Sequence, residues 1–177
     1  MKYGILLGLI GVQLGVLWLI QGVTAINLPY YAILPILTIL SAIDLKEKIV
    51  PNKSHLLILL TSLLSFSALP LSDRLWGAIS VSVPLTGVAW LTKGFGGGDV
   101  KLFASLGFVI GLYHVAVSAY VALVIAGGYG IVLLLKGASK KREIALVPFI
   151  HLGVFLQLTF NLGQWFFFAW PGLGEWI

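Results

Sequence analysis

The sequence has no cysteine, which excludes disulfides, thiolate zinc sites and a catalytic thiol, and leaves the redox compartment open. Charge is scarce too: Asp, Glu, Lys and Arg make up 10% of the 177 residues, against roughly 25% in soluble domains. No long polar linker, low-complexity tract or internal repeat interrupts the chain, so residues 1–177 read as a single domain. What fills the sequence instead is apolar: 59% hydrophobic residues and a mean hydropathy of +1.06. Those values belong to a membrane-embedded protein, and the run lengths below predict an all-α, polytopic integral membrane bundle of about seven helices.

The first apolar run, Tyr3 to Ile20, is long enough at 1.5 Å per residue to cross a hydrocarbon layer of about 30 Å. It exceeds the roughly 7 to 15 residues of a signal-peptide core, and Gly22 to Asn27 makes a poor cleavage site, so it reads as a retained span. A second run extends from Tyr30 to Asp44, a third from Ser54 to Leu69 and a fourth from Leu75 to Thr92. Asn52 after Pro51 and Ser72 before Asp73 are expected N-caps, their side-chain oxygens accepting from first-turn amides. A fifth helix from Asp99 to Leu112 would measure only about 20 Å, short of a full span, with its N-terminus recessed. A sixth follows from Tyr113 to Leu135 and a seventh from Ile144 to Trp170. The last closes on Trp165, Phe166, Phe167, Phe168 and Trp170, rings that favour the membrane interface.

Threading seven spans from a cytoplasmic N-terminus gathers Lys2, Lys46, Lys48, Lys53, Lys93, Lys101, Lys136, Lys140, Lys141 and Arg142 on the cytoplasmic side. Only Arg74 falls outside, which is the positive-inside pattern. The net charge of +5 is therefore topological; the bilayer is the expected partner and nucleic acid is not. The run from Lys136 to Arg142 reads as a loop beside anionic headgroups.

The acids are Asp44, Glu47, Asp73, Asp99, Glu143 and Glu175. The threading puts Asp73 and Glu175 outside and Glu143 in the last cytoplasmic loop, beside Lys141 and Arg142. Asp44 closes the second helix and Asp99 opens the fifth, so the two lie at the same membrane depth. Gly94, Gly96, Gly97 and Gly98 precede Asp99, and glycine, lacking Cβ, lets a substrate strand approach closely. Two carboxylates in a partly desolvated site hold one proton between them, the working state of an aspartic protease. The charged member acts as general base on a water and the protonated one hydrogen-bonds the carbonyl under attack. Cleavage needs an extended substrate, because a helix hides its scissile carbonyl. The plainer reading makes Asp44 a helix-end charge and Asp99 an anion at a helix N-terminus, worth about 0.3 to 1 kcal/mol. Two other classes stay open: a transporter in which Asp44 and Asp99 carry protons or cations, and a non-catalytic assembly scaffold. Lys101 reads as a side chain reaching for phosphate headgroups. His55, His114 and His151 lack metal-ligand spacing and read as packing residues.

These residues resemble a family of membrane aspartic proteases, the prepilin peptidases. The family pattern G-x-G-D-x-K-L-x-A-x-L-G is matched by Gly96, Gly98, Asp99, Lys101, Leu102, Ala104, Leu106 and Gly107. An Asp followed seven residues on by Pro and then Asn is matched by Asp44, Pro51 and Asn52, and the resemblance covers roughly Tyr30 to Leu156. It implies Asp44 and Asp99 as the catalytic aspartates, and Gly96, Gly97, Gly98 and Lys101 as substrate-binding residues. It implies no metal and no cofactor. The implied substrate is a prepilin-like membrane protein whose short basic leader is cut on the cytoplasmic side, just before its hydrophobic helix and commonly after a glycine. The implied location is the plasma (inner) membrane. The lysines near the site would repel a basic leader, and Glu47 or Glu143 is the expected local offset. Two departures stand out. Bifunctional bacterial members resemble proteins with an added cysteine-paired segment and an N-methyltransferase activity, and with no cysteine here methylation is not expected. Where the family often shows Pro-Phe-Gly-Pro, this chain has Pro148 and Phe149 followed by Ile150 and His151.

Overall fold

The computed structural model describes residues 2–65, 69–92, 96–137 and 144–164. Among the described residues there are six α-helices, one short 3-10 helix and no strand. The windows Gly4–Gln21, Leu28–Glu47 and Gly97–Leu135 are long and apolar enough to cross a bilayer, and Val147–Phe160 is a shorter apolar helix. Large apolar side chains cover the outside, Trp90 at 81% and Leu135 at 83% exposure among them, a surface suited to lipid rather than water. The chain is a polytopic helical membrane bundle, as its composition indicates.

Helix α1 (Lys2–Gln21) is an apolar run that ends where Gly22 takes a φ of +63°. The connection to α2 (Leu28–Glu47) is tied by Asn27, whose Nδ2 donates to the Gly22 carbonyl at 2.9 Å while its Oδ1 accepts from the Thr24 N–H at 2.7 Å. Helix α3 (Asn52–Thr61) passes into a 3-10 turn over Ser62–Ser65. It is shorter than the apolar run suggests because Thr61 and Ser62 bond back to the carbonyls of Ile58 and Leu59, which tightens the last turn. Helix α4 (Leu71–Thr92) pairs with α5 (Gly97–Leu135), and α6 (Val147–Phe160) completes the bundle.

Helix α5 is two helices in one. Gly111 inside it has φ 81°, ψ 173°, so the helical path breaks there, one residue before the boundary expected at Leu112. The arm over residues 97–110 rises about 21 Å, the short fifth helix foreseen from the sequence. The second arm runs antiparallel to α6: Gly130 meets the Ile144 side chain, Gly153 packs on Ser118 and Ala122, and His114 bonds Gln157. Since α6 starts beside Asp44, and Asp44 acts electrostatically on Asp99, the first arm leads away from that end and the second leads back.

Two neighbouring residues of α4 fasten this reversal. Asp73 Oδ1 accepts from the Leu112 N–H at 3.2 Å, supplying the cap that the second arm lacks, and its carboxylate fills the space a Cβ on Gly111 would take. Arg74, only 1% exposed, donates from Nη1 to the Phe108 carbonyl at 3.3 Å, at the end of the first arm, and lies over the Phe108 ring. Lower on the same pair, Gly77 and Gly107 sit backbone against backbone, each where the other's Cβ would be. Small residues at such a crossing let helices approach closely where no hydrophobic force drives them together.

Three expectations need correction. Asn52 is not an N-cap: extended Pro51 holds that position and Asn52 is the first helical residue. Ser72 is not one either, because α4 already begins at Leu71 and Asp73 and Arg74 are spent on α5. The seventh helix is narrower than Ile144 to Trp170: α6 spans Val147–Phe160 and ends at Asn161, whose φ is 48°. The aromatic group Trp165 to Trp170 lies outside the described residues.

Candidate active site

Asp44 stands one turn before the end of α2. Lys48 takes a left-handed conformation (φ 53°) and donates its N–H to the Asp44 carbonyl at 2.9 Å, which stops the helix and sends Ile49 to Pro51 across to α3. The Asp44 side chain is buried, and its Oδ2 accepts from the Val147 N–H at 2.9 Å. Val147 opens α6, and Pro148 beside it has no N–H to give. Asp44 therefore occupies the N-terminus of another helix, where a first-turn amide has no partner of its own and the dipole favours an anion. Lys48 adds a direct electrostatic attraction.

Asp99 is the third residue of α5 and also sits at a helix N-terminus. Gly96, extended at φ −71° and ψ 139°, is the N-cap, and its carbonyl accepts from the Asp99 N–H at 3.1 Å. The three glycines serve different ends. A Cβ on Gly96 would stand 3.2 Å from Asp99 Oδ2, so Gly96 leaves room for the carboxylate to fold back over it. Gly97 is exposed and faces open space. Gly98 lies against Val50, where a Cβ would come within 3.0 Å of the Val50 Cβ, and so lets the chain after Asp44 close onto α5. Lys101 Nζ reaches Asn52 Oδ1 at 3.5 Å, a second link between the two stretches.

The two motif stretches, 44–52 and 96–107, thus meet at one end of the bundle. Asp44 and Asp99 are near enough to interact electrostatically. Lys46, Lys48, Lys53, Lys101 and Lys136 belong to this end, and Arg74 to the other. Glu47 is exposed there, while Glu143 lies outside the described residues. Lys101 is on the solvent side and engages α3.

The histidines are packed within the bundle. His55 is buried on α3. His114 bonds Gln157 at 3.1 Å and meets Tyr30 and Tyr113 edge-on, and His151 bonds residues of α1 and α2. No group of three or more metal-ligating side chains occurs among the described residues. Sequence reasoning missed the Val147 amide as the partner of Asp44. The available signal was Pro148, since proline favours the first turn of a helix and so marks a helix N-terminus at this point.

Residues 31–131, which hold both aspartates, match the type IV leader peptidase family. Over 147 residues the chain is 30% identical to the prepilin leader peptidase/N-methyltransferase of Bacillus subtilis (strain 168), an alignment covering 79% of this chain and 58% of that protein. The chain thus spans a little over half the length of this relative. No solved structure matches it. With the family match running through more than half of its length and through both motif aspartates, this chain belongs to the type IV leader peptidase family.

Proposed function

We propose that the chain is a membrane aspartic endopeptidase that removes the short basic leader from type IV pilin-like precursors at the cytoplasmic face. The observation that carries this reading is the meeting of the two motif aspartates at one end of the bundle, each at a helix N-terminus and within electrostatic reach of the other. The lysines of that end, set against Arg74 at the opposite one, support a cytoplasmic orientation.

The Asp44 carboxylate accepts from the Val147 N–H through Oδ2 and from the Leu146 backbone, and it is the member of the pair that takes a proton from water. Asp99, carrying the pair's single proton, hydrogen-bonds the scissile carbonyl oxygen as the water oxygen adds to its carbon. The tetrahedral intermediate then collapses: the C–N bond breaks, and the proton held on Asp44 passes to the departing amine. The open backbone at Gly97 lets an extended substrate segment lie beside Asp99. No other group is required for proton transfer.

The test is leader cleavage in membranes, with the chain co-expressed with a panel of prepilin-like precursors. Wild type is expected to shorten a precursor, and Asp44→Asn and Asp99→Asn, inserted at equal level, to leave it intact. Residual cleavage by either variant removes that aspartate from the mechanism and favours a proton or cation site or a scaffold.

A further inference from the structure

His151, one of the two residues where this chain departs from the pattern its sequence resembles, sits one helical turn beyond Val147. Ser41 sits three residues before Asp44. Residues three or four apart share a helix face, so the Val147–Asp44 bond and a His151–Ser41 contact are stacked along one α2–α6 seam. His151 Nδ1 is 3.3 Å from Ser41 Oγ, and Nε2 is 3.2 Å from Gln13 Oε1 on α1. Thr38 Oγ1 lies 3.1 Å from the same Gln13 oxygen and 3.5 Å from Nε2. With the ring proton on Nε2, His151 donates to Gln13 and Thr38 donates to the Leu34 carbonyl at 2.9 Å, while the single Ser41 hydroxyl proton is shared between His151 Nδ1 and the Leu37 carbonyl at 2.7 Å.

Apolar packing does not fill this level. Gln13, Thr38, Ser41 and His151 line a cleft of about 360 Å³ between α1 and the α2–α6 seam, with Leu9 and Leu152 on its walls. Beside the buried apolar residues Leu37, Leu40, Ile150 and Val154, these hydrogen bonds help to set how α6 lies on α2, and bonds of this kind join helices in a bilayer. A small slide of α6 would break the Val147–Asp44 bond, which begins at 2.9 Å.

We propose that His151 is a positioning residue for the peptidase site: by tying α6 to Ser41 and Gln13 it keeps the Val147 amide on Asp44. The proposal rests on the peptidase reading. The amide itself offers a readout that does not, because Val147 N–H is a first-turn donor with no partner in its own helix and its protection from exchange comes from Asp44.

The experiment measures amide hydrogen exchange at Val147 in micelles, together with kcat and KM for leader cleavage, in the full chain. In His151→Leu, exchange at Val147 is expected to rise about tenfold while Leu106 and Ile110 in the α5 core stay unchanged. kcat is expected to fall about 5- to 20-fold with KM within about twofold. Ser41→Ala is expected to move both readouts the same way, and His151→Asn, which keeps a polar atom near the Nδ1 position, to recover within about threefold of wild type. Unchanged Val147 exchange in His151→Leu and Ser41→Ala overturns the proposal, as does a loss confined to KM. A wild-type chain that cleaves no precursor, with Val147 protected as expected, instead sinks the peptidase reading and the catalytic part of this role with it.

Discussion

Replacing Gly107 by alanine tests the close backbone approach of α4 to α5. A Cβ there would meet the Gly77 carbonyl and the Ala78 nitrogen, backbone atoms of α4 that cannot swing aside, so α4 and α5 must separate. A gap of about 0.5 to 1 Å already forfeits a quarter to a half of the dispersion energy across it. Overpacking of this kind costs about 1 to 3 kcal/mol. Alanine also brings a gain of about 0.5 to 1 kcal/mol over glycine within a helix, which partly hides that cost. Gly87, on α4, has nothing within 4 Å of its missing Cβ, so Gly87→Ala shows the propensity gain alone. The difference between the two variants isolates the steric contribution, about 1 to 3 kcal/mol against Gly107→Ala. Reversible unfolding in mixed micelles, followed by circular dichroism, measures it. Equal shifts for the two variants would mean that the α4–α5 crossing is looser than described, and the reasoning would fail.

Two further pairs of substitutions probe the ends of the same arm. Asp73→Ala is expected to cost about 0.5 to 2 kcal/mol by removing the cap on the Leu112 amide, and Asp73→Asn to recover most of it, because asparagine caps equally well; an asparagine variant as weak as alanine contradicts the capping role in the same unfolding assay. At the site end, Gly98→Ala pushes a Cβ to 3.0 Å from the Val50 Cβ, and Val50→Gly opens the space again. The double variant is expected to be about 0.5 to 2 kcal/mol more stable than the sum of the singles predicts, and strict additivity in that cycle would show that the two residues do not touch.

Local chemistry made part of this structure readable and long-range partners hid the rest. Apolar run lengths placed the membrane bundle, and the drop in usable length before Tyr113 marked the break found at Gly111. Asp44 and Asp99 stood out because a carboxylate at the end of an apolar run demands a reason, and the glycines before Asp99 pointed to close approach. The caps were misjudged for one shared reason. Asn52 and Ser72 have the right side chains for capping, but extended Pro51 holds the first position, and α4 starts early because Asp73 and Arg74 bond residues 34 to 39 positions away. Val147 was hidden in the same way, lying 103 residues from the carboxylate it holds. No window of sequence contains both members of such a pair.

The clamp at the helix reversal has a bearing on how the chain is assembled. Helix α4 is synthesised before α5, so Asp73 and Arg74 enter the bilayer before the Phe108 carbonyl and the Leu112 amide exist. Until then Arg74 has the Leu69 carbonyl but not that of Phe108, Asp73 lacks the Leu112 amide, and charged side chains at a membrane helix cost several kcal/mol. A chain stalled before residue 112 therefore displays an acid and a base on the face opposite the lysines. A completed α5, turned at Gly111, gives Arg74 the Phe108 carbonyl and Asp73 the Leu112 amide.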